Sequence, residues 1–152
     1  MEGTPLQSSV GSTVSALHPA PDFCQAPRAL VVEDDFWMQP LLSLALRTAV
    51  QGIEIDWVES AEEALRKTRH VPYRIILADI YLKPNRNTGI DFWYSCREEC
   101  PEIPIVLMSG LPVDSFSKKM GLYGPHYLAK PFQLAECKEV IRNLVFCSGL
   151  SS

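Results

Sequence analysis

The chain has 152 residues, 47% of them apolar and 21% charged, which supplies core for one domain and excludes a disordered or fibrous chain. Lys and Arg number 14 against 18 Asp and Glu, and the resulting net charge of −4 sets the surface against phosphate backbones, so direct nucleic-acid binding is not expected. Residues 1–20 lack the cationic start and unbroken apolar stretch of a secretory signal, and no run of about 18 apolar residues exists to cross a membrane, so a cytoplasmic protein is expected.

Residues 1–27 are rich in Ser, Thr, Gly, Pro and Ala without a sustained period and read as a flexible tail. From Arg28 onward, short continuous apolar runs alternate with longer amphipathic stretches. The first run is Ala29 to Val32, followed by the helical stripe Met38, Leu41, Leu42, Ala45 and Ala49, with Pro40 in the first turn and Gly52 closing it. The second run, Ile53 to Val58, leads into Ser60-Ala-Glu-Glu63, a capping box that opens a helix ending before Pro72. The third, Arg74 to Ala78, precedes a helix with Thr88 as its N-cap and with Trp93, Cys96 and Cys100 on one face. The fourth, Ile103 to Met108, is followed by a short helix from Pro112 to Gly121 on which Val113, Phe116 and Met120 share a face. The fifth, Tyr127 to Ala129, leads to a closing helix with Leu134, Cys137, Ile141 and Leu144 on one stripe, and residues 148–152 form a short tail.

Runs that are apolar throughout belong in a parallel sheet covered on both faces, and five strand and helix pairs in alternation predict a doubly wound α/β domain over residues 28–147. The five cysteines, Cys24, Cys96, Cys100, Cys137 and Cys147, contain no CxxC pair and no zinc-type spacing, and read as reduced, mostly buried thiols.

Sites in such sheets lie at the carboxyl ends of the strands. There the first strand ends in Glu33-Asp34-Asp35, the third in Asp79, the fourth in Ser109-Gly110 and the fifth in Lys130-Pro131. Each alone is an ordinary cap or turn residue. Together, carboxylates converging on one pocket repel unless cations sit among them. Lys130 offers one charge, and a hard divalent cation such as Mg²⁺ suits a set of oxygen donors with neither His nor Cys. A carboxylate beside a metal and a lysine is equipped to take a phosphoryl group, and a nearby hydroxyl can donate to its oxygens.

The strings ALVVEDD, IILADIYLKP, PIVLMSG and HYLAKPF, in that order on those elements, resemble the receiver domain of a two-component response regulator, in its single-domain, CheY-like form. The resemblance covers about residues 28–147 and implies a five-stranded flavodoxin-like sheet of order 2-1-3-4-5 with five helices. By position it implies Asp79 as phosphoacceptor, Asp34 as a direct Mg²⁺ ligand with Glu33 acting through water, and the backbone carbonyl of Tyr81 completing the coordination. Asp35 would cap the first helix. Ser109 matches the switch hydroxyl, Lys130 the lysine of the KPF motif, and Tyr127 the aromatic switch or else a half-buried core tyrosine. Implied partners are a sensor histidine kinase or histidine phosphotransfer protein and a downstream protein target, in a phosphorelay or by direct contact. No output domain is expected after Phe146, so the chain reads as a stand-alone receiver that is not a turnover enzyme.

The connection after Asp79 reaches its glycine, Gly89, ten positions on, which is longer than usual in the family, and the helix after Pro112 is short. Other readings fit less well. A phosphatase of the haloacid dehalogenase type needs an acid where Tyr81 stands, the acidic first loop would repel a flavin phosphate, and neither GxGxxG nor GxxxxGK[ST] occurs. The rival that stays open is a receiver-like interaction module that is not phosphorylated.

Overall fold

Five segments pair into one parallel sheet, whose three inner strands carry apolar residues that need burial on both faces. The computed structural model describes residues 25–83, 88–111 and 125–147, with the Thr88 side chain outside that set. Its strands are β1 (Arg28–Val32), β2 (Glu54–Val58), β3 (Ile75–Asp79), β4 (Ile105–Ser109) and β5 (His126–Ala129), in the order β2-β1-β3-β4-β5. Every pairing is parallel. The helices are α1 (Gln39–Ala49), α2 (Ala61–Thr68), α3 (Thr88–Glu99) and α4 (Leu134–Cys147). Four helices are thus found among the described residues where five were expected, since the helix expected at Pro112 to Gly121 lies outside them, as do residues 1–24 and the tail 148–152.

Alternate residues of the strands feed two apolar layers. Leu30, Val32, Ile76, Ala78 and Leu107 face α2 and α3, where Phe92, Trp93 and Cys96 join them. Ala29, Val31, Ile75, Leu77, Val106 and Met108 face α1 and α4, meeting Leu42, Leu46, Cys137 and Ile141. Each fully buried leucine or isoleucine contributes roughly 1.5–3 kcal/mol of burial free energy. The central strands β3 and β4 are buried at every position, whereas the edge strands β2 and β5 are only partly covered.

Local chemistry sets the boundaries. Pro40 sits in the first turn of α1, where its missing N–H costs nothing. Gly52, at φ +71°, turns the chain into β2 in a conformation that a side chain would oppose. Ser60 Oγ accepts the Glu63 N–H at 3.3 Å and caps α2. Asp35 caps a 3₁₀ turn (Phe36–Met38), accepting the Trp37 N–H at 3.0 Å, and not α1 itself, because that turn intervenes and α1 begins with no side-chain cap. Cys96, Cys100 and Cys137 are buried free thiols as expected, while Cys147 is exposed. No helix of the described residues is long and apolar enough to cross a membrane.

Away from the carboxyl edge, Arg28 at the start of β1 binds Glu54 and Asp56 of β2, each at 2.6 Å. The Tyr73 hydroxyl donates to the other Asp56 oxygen at 2.6 Å. A bidentate pair between Arg69 and Glu99, both contacts at 2.8 Å, ties α2 to α3.

Candidate functional site

Parallel register brings the four strand ends side by side. Val32 pairs with Ala78, Asp79 with Met108, and Ser109 with Ala129, so Glu33, Asp79, Ser109 and Lys130 follow one another along one edge of the sheet. The Lys130 N–H donates to the Ser109 carbonyl at 2.7 Å and fixes the end of β5. From there the Lys130 Nζ donates to Glu33 Oε2 at 2.8 Å and to Asp79 Oδ2 at 2.9 Å.

A common device orients the acceptor oxygens. At three strand ends a side-chain oxygen accepts the backbone N–H two residues on: Glu33 from Asp35, Asp79 Oδ1 from Tyr81 and Ser109 from Leu111, each at 3.0 Å. These turns lock the side chains against the edge of the sheet. Sequence reasoning assigned the oxygens but not the amides that hold them, although Asp and Ser directly after a strand are the usual signal for such turns.

The Glu33 side chain has no exposed surface, against 12% for Asp79 and 20% for Lys130. Burial pushes the Glu33 carboxyl above its ordinary value, with the hydrogen bond from Lys130 opposing. Burial works against the Lys130 ammonium as well, but its hydrogen bonds to Glu33 and Asp79 prevail and hold its pKa above the ordinary lysine value. Lys130 is therefore charged at neutral pH. Asp34 is less buried and accepts a long hydrogen bond, 3.4 Å, from the Lys83 N–H.

Glu33, Asp34 and Asp79 each offer a carboxylate oxygen within 4.8 Å of the others, the one group of potential metal-binding side chains among the described residues. Three hard oxygen donors with no nitrogen or sulfur among them fit Mg²⁺ better than zinc or copper. Tyr81 lies two residues beyond Asp79, with its N–H on the carboxylate. Tyr127 is half-buried on β5, packed on the α2 and α3 side of the sheet, and burial followed by the nearby Tyr94 raises its phenol above the ordinary value. Phe36 and Trp37 beside the acidic turn are 71% and 86% exposed.

A family model described as the response regulator receiver domain matches residues 29–142. Over 115 residues the chain is 25% identical to the Probable C4-dicarboxylate response regulator DctR of Halalkalibacterium halodurans, covering 75% of this chain and 49% of that protein. It thus spans about half the length of this curated relative. A solved response regulator structure from Chloroflexus aurantiacus superposes with a TM-score of 0.68 at 25% identity, over 80% of this chain and 99% of that one. The receiver domain of a sensor histidine kinase from Pseudomonas aeruginosa, described with a magnesium ion coordinated in its active site cleft, superposes with a TM-score of 0.66 at 24% identity, over 80% and 99%.

Proposed function

Because this chain belongs to the response regulator receiver domain family, we propose that Asp79 accepts a phosphoryl group from a phosphohistidine on a partner kinase or phosphotransfer protein. The observation that carries this reading is the ammonium of Lys130 set between Glu33 and Asp79, at 2.8 and 2.9 Å, with Asp34 completing an oxygen cluster. A capping or turn role for each acid separately would require no such convergence.

Asp34 and Asp79 would hold Mg²⁺ directly, with Glu33 acting through water and the Tyr81 carbonyl adding a donor. The magnesium described in the Pseudomonas aeruginosa receiver supports this choice of ion. When bound, the ion supplies positive charge to the equatorial oxygens of the group being transferred. The chain's own residues do the rest. An Asp79 carboxylate oxygen, oriented by the Tyr81 N–H, attacks phosphorus in line as the bond to the partner's imidazole nitrogen breaks. Lys130 follows the phosphoryl oxygens, exchanging its contact with the carboxylate for one with the new group. Ser109, whose Oγ accepts from Leu111 and keeps its own proton, donates that proton's hydrogen bond to a phosphoryl oxygen.

The modification adds charge and acceptors at one edge of the sheet and biases an existing equilibrium of conformations, with Tyr127 on β5, two strands from Asp79, as the aromatic that responds. A downstream protein in the cytoplasm reads the change. The test is intact-mass spectrometry after incubation with Mg²⁺ and acetyl phosphate. One phosphoryl group is expected, stable in acid and labile in base, and absent from Asp79→Asn. An unchanged mass would instead favour an interaction module that is not phosphorylated.

A further inference from the structure

Gly89 is the second residue of α3, ten positions past Asp79, and its N–H donates to the Ile80 carbonyl at 3.2 Å. A Cβ built on Gly89 would overlap the Asp79 carbonyl oxygen and lie 2.7 Å from the Ile80 Cα and 2.9 Å from the Asp79 carbonyl carbon. All three atoms are backbone, so no flexible side chain can yield. On its other side the same backbone is held by the sheet, since Asp79 pairs with Met108 and the Ile80 N–H donates to the Met108 carbonyl at 2.9 Å. The peptide that carries the acceptor is therefore gripped between β4 and the first turn of α3.

We propose that Gly89 is a positioning residue for Asp79: its missing Cβ lets α3 lie directly against the acceptor's own peptide and so sets where the carboxylate points. This rests on the reading of Asp79 as phosphoacceptor. The carboxylate is coupled to that peptide because its Oδ1 takes the Tyr81 N–H at 3.0 Å, one residue beyond the gripped bond. A methyl group at position 89 must push either the helix or the peptide outward, and the strand ladder favours movement of the free end, at residues 80 and 81. In-line transfer is sensitive to such movement, a misplacement of about 1 Å costing on the order of 10²-fold in rate.

Gly89→Ala tests the proposal, with Gly110→Ala as its control, because a Cβ at Gly110 meets no atom of the described residues within 4 Å although it too follows a strand end of the site. Two readouts are taken. The rate of phosphorylation by acetyl phosphate with Mg²⁺ is expected to fall at least tenfold in Gly89→Ala and to stay within about twofold of the parent in Gly110→Ala. The backbone amide resonance of Tyr81, observed without metal or phosphodonor, is expected to shift in Gly89→Ala alone, as its hydrogen bond to the carboxylate changes. A Gly89→Ala protein with the parent's rate and the parent's Tyr81 resonance overturns the proposal. If the parent itself takes no phosphoryl group, the functional reading fails, and the Tyr81 resonance alone decides whether Gly89 positions the carboxylate. Should Gly89→Ala unfold in dilute buffer, parent and variant are both measured in about 1 M sucrose, which restores marginal folds by exclusion from the protein surface.

Discussion

Replacing Lys130 with methionine keeps an unbranched apolar stem, one atom shorter, and removes the ammonium that bridges Glu33 and Asp79. Breaking a buried ion pair by deleting one partner costs about 3–5 kcal/mol when the remaining charge is trapped. Here the two remaining carboxylates differ. Asp79 keeps 12% of its side chain exposed and the Tyr81 N–H, whereas Glu33 has none exposed and, among the described residues, keeps the Asp35 N–H alone. Glu33 can limit the damage by taking a proton. Starting from an ordinary value of 4.5, neutralising it at pH 7 costs about 3.4 kcal/mol, at roughly 1.36 kcal/mol per pH unit, and at pH 5 only about 0.7 kcal/mol. Lys130→Met is thus expected to destabilise the metal-free protein by about 3 kcal/mol at pH 7 and by markedly less at pH 5. Urea unfolding in chelator, followed by tryptophan fluorescence at both pH values, measures the difference. Adding Mg²⁺ should then narrow the gap at pH 7, because a bound cation takes over the neutralising role. A cost that is the same at pH 5 and pH 7, or below about 0.5 kcal/mol at both, would refute the argument, since surface pairs behave that way and buried bridges do not.

Asp34→Asn should weaken Mg²⁺ binding more than Glu33→Gln, because a direct ligand loses more than one acting through water. Trp37, 86% exposed and bonded through its N–H to Asp35, is placed to report the titration by fluorescence, and equal affinities in both variants and the parent would show that the acids serve only as turn formers. Away from the site, burial acts to raise the Asp56 carboxyl, but the Tyr73 hydroxyl and the Arg28 guanidinium outweigh it and hold the pKa below the ordinary 3.8. A depressed carboxylate stabilises above its unfolded value and loses that contribution as pH falls through the folded one, so the stability advantage of the parent over Asp56→Asn should shrink below about pH 4. An advantage that stays constant down to about pH 2 would show that Arg28 and Tyr73 do not favour the ionised form.

Most of the fold was readable from periodicity. Val31 and Val32, or Leu77 and Ala78, are adjacent apolar residues that only a sheet covered on both faces can bury, and Ile141 with Cys137 marks a helical stripe in the same way. The chemistry at the strand ends was readable as residue types in order. What the sequence withheld was depth and partnership. Nothing in Glu33-Asp34-Asp35 says that the first acid is sealed under Lys130, the second half-open, and the third spent on a 3₁₀ turn, because those fates depend on where the neighbouring strand end lies. Lys130 meets Glu33 across 97 positions of chain, and Arg28 meets Asp56 only once the β1–β2 register is set. Strand ends were less legible than the strands themselves: β2 starts at Glu54 and not at Ile53, β4 starts at Ile105 and not at Ile103, and β5 is short and half-covered, so its apolar signal is weak.

The strand that delivers Lys130 is the last of the five to leave the ribosome. A nascent chain that has emerged only through β4 already holds Glu33, Asp34 and Asp79, yet lacks the ammonium set between Glu33 and Asp79. Domains generally fold as units, and a sheet of β2, β1, β3 and β4 without β5 would bring those acids together without their counter-charge. Docking of β5 is then favoured by more than its own four residues, because the same event discharges the carboxyl edge. A short, half-buried strand can in this way complete the sheet late and still be held firmly.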